Sequence, residues 1–412
     1  MSQGHAHDPI LDLVKPEILS DPHPAYAQLR EEQPVFFYDP LGSWRFSRYA
    51  DCVTVLRDHT RFAADWRRVG ETMPPRAINL LTLDPPEHTV LRRLFLELLR
   101  AQDHRALAGL VAKQANELLD SLAARPTIDF LTDFAEPLAL SATCAYLGVP
   151  APEAAWASRI GRAVGAGMDA GLWPERGLAV RDAQEELAAL VDGWLASETS
   201  ETSETSETSE TSETSNVGNA GEGIVGTLLA TPAAAQVDPA VLANTVRGLL
   251  FSGYSSGSKL LGSIAVALLH ERVVSLAEFR AADPARAMDE LVRYASPIHA
   301  VARACVADTD VGGVRVRAGQ AVTLLLGAAN RDPDRFPDPQ RVLLGRHPNP
   351  HLGFGRGPKA CVGSPFTEII VRAALDALIE RHPGVHAVEA PEYHPNLTLR
   401  SLARFEVALG ET

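Results

Sequence analysis

The chain has 412 residues, 46% of them hydrophobic and 22% charged, a balance that builds a large core and excludes a disordered tail. Its 52 acidic residues outnumber 38 basic ones, and a formal net charge of −14 opposes a phosphate backbone, which excludes a general nucleic-acid binder. The four cysteines, at 52, 144, 305 and 361, show no CxxC and no cysteine–histidine spacing. Neither a disulfide framework nor a structural zinc site is indicated, and the expected location is a reducing cytoplasm.

The opening MSQGHAHDPILDL lacks a basic stretch followed by an apolar one, and no apolar run approaches the roughly 20 residues of a membrane helix, so neither export nor anchoring is expected. Leu107, Leu110, Val111, Ala115, Leu118, Leu119 and Leu122 recur at spacings of three and four and predict an amphipathic helix. Residues 197–215 repeat Ser-Glu-Thr six times before a closing Ser, with no apolar side chain. That tract predicts a solvated surface loop, inserted between a helix ending near Leu195 and one starting near Glu222. A phosphorylated acidic docking arm is the other reading. A second stripe, Leu242, Val246, Leu249, Leu250, Gly253, Leu260, Ile264 and Leu268, runs through Gly253 without a phase break and predicts one long helix. Strand-like alternation is confined to short pieces such as 311–316 and 321–326, punctuated by Gly312, Gly313 and Gly319. Alternating βαβ units are missing, so a doubly wound sheet is excluded in favour of a mainly helical fold with a small β-rich lobe.

The most informative run is Phe354-Gly355-Arg356-Gly357-Pro358-Lys359-Ala360-Cys361-Val362-Gly363, followed by a helical stretch over 368–379. Glycines and a proline before a cysteine make a tight loop whose amides can point at sulfur, and the following helix N-terminus favours a thiolate. The run resembles the cysteine-ligand loop of the cytochrome P450 family, FGxGx(H/R)xCxG, with Lys359 where His or Arg is usual. The resemblance implies haem b held by the Cys361 thiolate, with Phe354, Gly355 and Gly363 shaping the loop.

Further segments extend the resemblance over nearly the whole chain, from Asp21-Pro22-His23-Pro24 onward. Glu290 and Arg293 match the family's ExxR pair, which buttresses the cysteine loop; the third member of that network is Arg331 or Arg341. Leu83-Asp84-Pro85-Pro86-Glu87-His88-Thr89-Val90-Leu91-Arg92-Arg93 is similar to the family's third-helix segment, with His88 and Arg92 one turn apart. By the same resemblance Arg303 and Lys359 join them in a clamp for the haem propionates. No fused reductase domain is expected, and the expected electron donors are a separate ferredoxin and ferredoxin reductase, docking on the basic side near Arg356 and Lys359.

The sequence departs from the family on the long helix. Where the pattern (A/G)GxD/E-T-T/S has an acid and an alcohol that deliver protons, this chain has Ser255 and Ser256. A hydroxyl remains but the carboxylate is missing, and Gly257 is expected to permit a local bulge or a close substrate approach. The same residues, Gly253 to Gly257, spell the GxSxG elbow of serine hydrolases, but an elbow needs a strand before the Ser, and the helical stripe runs through both sides. Analogy with the resembled fold places substrate contacts in the 66–78 loop around Trp66, at Leu249, Gly253 and Tyr254, along Ile298, His299 and Val301, and at Leu397 and Thr398. His299, Tyr254, Arg67 and Arg68 are the groups expected to bind a polar or carboxylated substrate.

The expectation is therefore a single P450 domain over 1–412, a monomer with neither nucleic acid nor membrane as partner. It would tailor a small natural-product intermediate by hydroxylation, epoxidation or oxidative coupling. The second reading is haem-thiolate chemistry without reductive dioxygen activation: peroxide use, nitrene transfer or a redox-neutral rearrangement. A haem-binding sensor is a third.

Overall fold

Each long apolar stripe in the sequence turns inward on a helix, and the helices meet in one large core. A computed structural model of the protein describes residues 8–204 and 223–410. The helices are α1 (His23–Glu32), α2 (Tyr49–Arg57), α3 (Glu87–Ala101), α4 (His104–Leu122), α5 (Glu136–Leu147), α6 (Ala154–Gly167), α7 (Arg176–Glu204), α8 (Ile224–Ala230), α9 (Pro239–Ala265), α10 (Leu276–Ala281), α11 (Pro284–Ala295) and α12 (Ser364–Arg381), with short turns between them. Helix α4 begins where the Asp103 carboxylate accepts from the amides of Arg105 and Ala106. Its Leu107, Val111, Ala115, Leu119 and Leu122 are buried, whereas Leu110, expected on the same stripe, is 37% exposed at its edge. That buried face lies against α12, and α9 packs on both α5 and α12 at the centre of the molecule. The long second stripe is one helix, as expected: α9 starts at Pro239, capped by Asp238, and passes at Ala265 into a π-turn over Val266–His270. Among the described residues no helix is long and apolar enough to cross a membrane.

The β-rich lobe is a five-stranded sheet ordered β1 (Val35–Tyr38), β2 (Ser43–Phe46), β8 (Ala321–Leu325), β5 (Ala300–Cys305), β3 (Phe62–Ala63). Only β2 and β8 run parallel. Strands β6 (Thr309–Val311) and β7 (Val314–Val316) form a hairpin, so the strand-like piece expected over 311–316 is divided at Gly312 and Gly313, both at positive φ in the turn. A second apolar cluster, including Phe46, Val55, Phe62, Val322 and Leu324, fills this lobe. Helix α7 continues to Glu204, so the first residues of the Ser-Glu-Thr tract are helical where a loop is expected from Ser197. The remainder of that tract lies outside the described residues.

Glu290 and Arg293 face each other on α11 with both side chains fully buried. Arg293 donates twice to the carboxylate at 2.8 Å, and its remaining N–H groups reach the carbonyls of Asn330, Pro339 and Arg341. The third charged member is neither Arg331 nor Arg341 but Arg346, whose Nε lies 3.0 Å and 3.1 Å from the Glu290 oxygens. Arg341 offers only its carbonyl, and its side chain is 73% exposed. Arg331 is buried elsewhere, bonded to Gln340 and the Tyr294 carbonyl and stacked on the Tyr294 ring. Nothing in the local sequence separates three arginines in one loop; only the return of the chain to Glu290 does.

Because Glu290 keeps Arg293 but loses a buried charge-assisted partner, Arg346→Ala is expected to cost about 1.5–3 kcal/mol. Arg341→Ala, which removes an exposed side chain, should stay within about 0.5 kcal/mol. Urea unfolding of the two variants measures the difference.

Candidate functional site

The cysteine loop hangs from the Glu290 network by a run of hydrogen bonds. Arg293 holds the Asn330 carbonyl; the Asn330 side chain accepts from the Leu352 amide at 2.7 Å; the Leu352 carbonyl takes the Gly355 amide, and the Phe354 carbonyl takes the Cys361 amide at 2.8 Å. Gly357 has φ +74°, and a Cβ there would meet the Leu56 carbonyl at 2.6 Å, so only glycine lets the loop pass α2. Phe354 packs into the main core, and Gly363 leaves open the space beside the sulfur, its missing Cβ pointing to within 4.0 Å of Sγ. Helix α12 starts at Ser364, earlier than expected and directly behind the cysteine.

Cys361 is exposed whereas the other three cysteines are buried. Its surroundings nevertheless push the thiol pKa up; the amides of Gly363 and Ser364 and the charge of Arg92 pull it down, and lose to burial. The helix N-terminus alone does not make the thiolate, contrary to the sequence expectation. A metal cation at the sulfur supplies the missing charge, since a coordinating thiol is deprotonated outright.

His88 and Arg92 project from α3, Arg303 from β5 and Lys359 from the loop, and the four gather. Burial, with Lys359 and Arg92 adding to it, pushes His88 down to about 4. Burial pushes Lys359 down to about 8, with Arg303 and Arg92 adding to it against Asp84. Burial likewise lowers Arg92 and Arg303. The Arg303 guanidinium donates to the carbonyl of Ala302, and Arg92 forms no ion pair with a carboxylate among the described residues. Asp84, whose charge acts on Lys359 and Arg303, uses one carboxylate oxygen on the amides of Ala64 and Asp65 and on Arg68, and its other oxygen is buried without a hydrogen-bond partner. Four crowded cations against the single carboxylate of Asp84 fit a dianion, and the two propionates of haem would supply one. The Lys359 ammonium also donates to the carbonyls of Leu80 and Leu83, so it faces inward and is no part of a basic outer surface for ferredoxin.

The segment carrying Leu80 is tied to α9 as well. Asn244 donates to the carbonyls of Pro75 and Ile78, and the Leu80 amide donates to Thr245. On α9, Tyr254 and Ser255 lie against α6: Tyr254 is buried and donates to the Ala157 carbonyl, and Ser255 Oγ lies 3.7 Å from where a Gly161 Cβ would sit. Gly253 touches α5, where a Cβ would strike Thr143 at 2.6 Å, and Gly257 faces Ala139. Helix α9 runs through Gly257 without the expected bulge. Leu249, Ser252 and Ser256 stay partly exposed on α9, and Ser256 donates its hydroxyl to the Ser252 carbonyl.

Several expected substrate contacts are therefore corrected. Tyr254 and Gly253 belong to helix packing. His299 is buried, bonded through Nδ1 to the Tyr26 hydroxyl and pushed by burial down to about 3. Arg67 pairs with Asp65 and Glu87, and Arg68 holds Asp84 and two carbonyls. Trp66, Ile298, Val301, Leu397 and Thr398 stay partly accessible. Leu397 and Thr398 are fixed by their backbone amides, which donate hydrogen bonds to the Asp169 carboxylate, and the Thr398 carbonyl accepts from the His299 amide. Lys259, which sequence reading passed over, donates to Ser255 Oγ at 2.7 Å from one turn on and is only 6% exposed. Its i, i+4 spacing to Ser255 was the available signal.

A mainly helical body that presents one accessible cysteine on a glycine loop, beside a cluster of unpaired cations and below a long helix, defines a haem-thiolate protein. The family profile for cytochrome P450 matches residues 285–384. The nocardicin C N-oxygenase of Nocardia uniformis subsp. tsuyamanensis is 32% identical, over 91% of this chain and 92% of its own. The mycinamicin IV hydroxylase/epoxidase of Micromonospora griseorubida is 30% identical, over 87% and 88%. Among solved structures, CYP109E1 from Bacillus megaterium superposes with a TM-score of 0.83 over 96% of this chain and all of its own, at 22% identity, a likeness of fold. This chain belongs to the cytochrome P450 family and is a haem-thiolate oxidoreductase.

The cation cluster makes a ranking testable. Removing Arg92 or Arg303 as Ala is expected to lower haem occupancy after dialysis against apomyoglobin well below that of Arg93→Ala, because Arg93 is exposed and the other two are not.

Lys259 carries its own signature. Burial holds its pKa at about 8 instead of 10.5, so the unfolded chain binds more protons between these values and stability rises with pH there. Lys259→Met should be the more stable protein at pH 7 by up to about 3 kcal/mol. The advantage should shrink as pH climbs from 8 and vanish above 10.5, read from urea unfolding over that range.

Proposed function

We propose that the protein is a P450 monooxygenase that tailors a small natural-product intermediate. The observation that carries it is the juxtaposition of Cys361, with the Gly363 and Ser364 amides at its sulfur, and the cations His88, Arg92, Arg303 and Lys359. In this reading Cys361 is the iron's protein ligand, the cations hold the propionates, and Glu290, Arg293 and Arg346 keep the loop in place. Haem, when bound, supplies one-electron and dioxygen chemistry under thiolate donation. The chain's own residues position the reactants. Leu249, Ile298, Val301 and Leu397 offer apolar surface to a substrate, with Trp66 and Thr398 at its margin, and Ser256 stays partly exposed on α9. The relatives named for mycinamicin IV hydroxylation and nocardicin C N-oxygenation support the substrate class. A cytoplasmic monomer receiving electrons from a separate ferredoxin and its reductase completes the reading.

A second reading, haem-thiolate chemistry without reductive dioxygen activation, is favoured by one observation. Helix α9 has no carboxylate beside Ser256, and the Ser256 hydroxyl is held by the carbonyl a turn before it.

Cys361→His is expected to retain some haem and to lose the long-wavelength Soret band that thiolate ligation gives the reduced carbon monoxide complex. A Cys361→Ala protein that kept this band would transfer the ligand role to another cysteine.

A further inference from the structure

A cavity of about 360 Å³ opens between α6, the start of α5, α9 and the 394–403 segment, and no residue of the cysteine loop lies in its wall. Pockets for small ligands run to roughly 300–1,000 Å³, so its size is that of a binding site. The wall is largely apolar, with Leu131 and Leu402 in it, and Gly161 and Gly165 bring no side chain to the α6 side. Its charges do not balance. Among the described residues of the wall, Arg162, Arg176 and Lys259 stand against one carboxylate, that of Glu136.

Lys259 is the buried cation of the three, 6% exposed. Its ammonium donates to Ser255 alone, to Oγ at 2.7 Å and to the carbonyl at 3.3 Å, which leaves one of its three N–H groups unspent. No carboxylate reaches it within ion-pair distance among the described residues. Glu136 acts on it only at longer range and accepts from the Ser158 hydroxyl, to which Arg162 also donates. Arg162 is exposed, and Arg176, stacked on Trp173 and donating to Asn396 and the Pro395 carbonyl, is partly so; these two mark the open side. Burial, with Arg162 and Lys259 adding to it, holds His394 below the usual histidine range, so at neutral pH it brings no fourth charge. A buried ammonium without a counter-charge costs stability, and an anion from solvent offsets that cost. One ammonium is a compact point charge that matches a single negative charge, and the apolar wall matches a hydrocarbon body.

We propose that this cavity is a second ligand site, which binds a small organic monocarboxylate with an apolar body, its carboxylate on the Lys259 ammonium and its entry favoured by Arg162 and Arg176. The site is separate from the one at the cysteine loop. Binding there needs neither haem nor turnover, so its failure leaves the haem-thiolate reading untouched. Only the charged form of Lys259 holds the ligand. Glu136 favours that form and Arg162 opposes it, but burial dominates and sets the pKa at about 8, so affinity is level below that pH and falls above it.

Calorimetric titration of the full-length holoenzyme tests it with three probes: hexanoate, hexanol as its uncharged counterpart, and inorganic phosphate as an anion without an apolar body. The Soret band is followed alongside, because a ligand at the haem would move it. Hexanoate is expected to bind once per chain at neutral pH with the Soret band unmoved, and about tenfold or more tightly than either hexanol or phosphate. Lys259→Met should lose about tenfold or more of the hexanoate affinity and leave that for hexanol unchanged. In the wild type, hexanoate affinity should fall as pH rises through about 8, although hexanoate itself stays ionised throughout. Hexanol or phosphate binding as tightly as hexanoate, or hexanoate binding that Lys259→Met does not weaken, would overturn the proposal. An affinity that stays level across pH 8 would do so from the wild type alone, even if the Met variant does not fold.

Discussion

Everything on the proximal side of the site depends on one buried negative charge, the carboxylate of Glu290. It accepts from Arg293, Arg346, Asn349 and the Leu343 amide, and so gathers α11 and the loops over 330–349 around one point. A buried carboxylate is tolerable only when its oxygens are fully occupied by donors, and that demand makes the surrounding loops single-valued in conformation. Arg293 then delivers the order outward through the Asn330 carbonyl, and Asn330 passes it to Leu352 and the cysteine loop. The position of Cys361 is the last link of that sequence of bonds.

The reactive centre is built from charges that are uncomfortable by themselves. Burial raises the Cys361 thiol, while His88, Arg92, Arg303 and Lys359 are each pushed toward neutrality by burial, and by one another. An iron at the sulfur and two carboxylates among the cations would resolve both strains at once, and charge compensation would then add to apolar contact in holding the haem. On the far side, α9 has no acid of its own, and its one buried charge, Lys259, lines a cavity whose wall is largely apolar.

Recognition of substrate takes a different form from the one the polar residues suggest. Tyr254, His299, Arg67 and Arg68 are all used by the scaffold, to join α9 to α6, to anchor α1 to the sheet, and to fold the 58–87 region. What remains accessible is largely apolar: Leu249, Ile298, Val301 and Leu397. Selectivity on such surfaces comes from shape and from excluding water.

Local spacing was enough to determine the fold class, the cysteine loop, the Glu290–Arg293 face and the long distal helix, because each is written within a few residues: a 3.6-residue period, a glycine before a cysteine, an acid and a base one turn apart. The sequence alone also placed His88 and Arg92 on one helix face. Only the tertiary structure decided which arginine completes the Glu290 network, since Arg331, Arg341 and Arg346 share one loop and differ in where that loop closes on α11. It decided likewise that Tyr254 and His299 serve packing and that Lys359 turns inward, because a side chain's partner across hundreds of residues leaves no mark on local periodicity. Lys259 shows the boundary most sharply: its spacing to Ser255 is visible in the sequence, but its burial and the cavity behind it exist only once α5, α6 and the C-terminal segment close around α9.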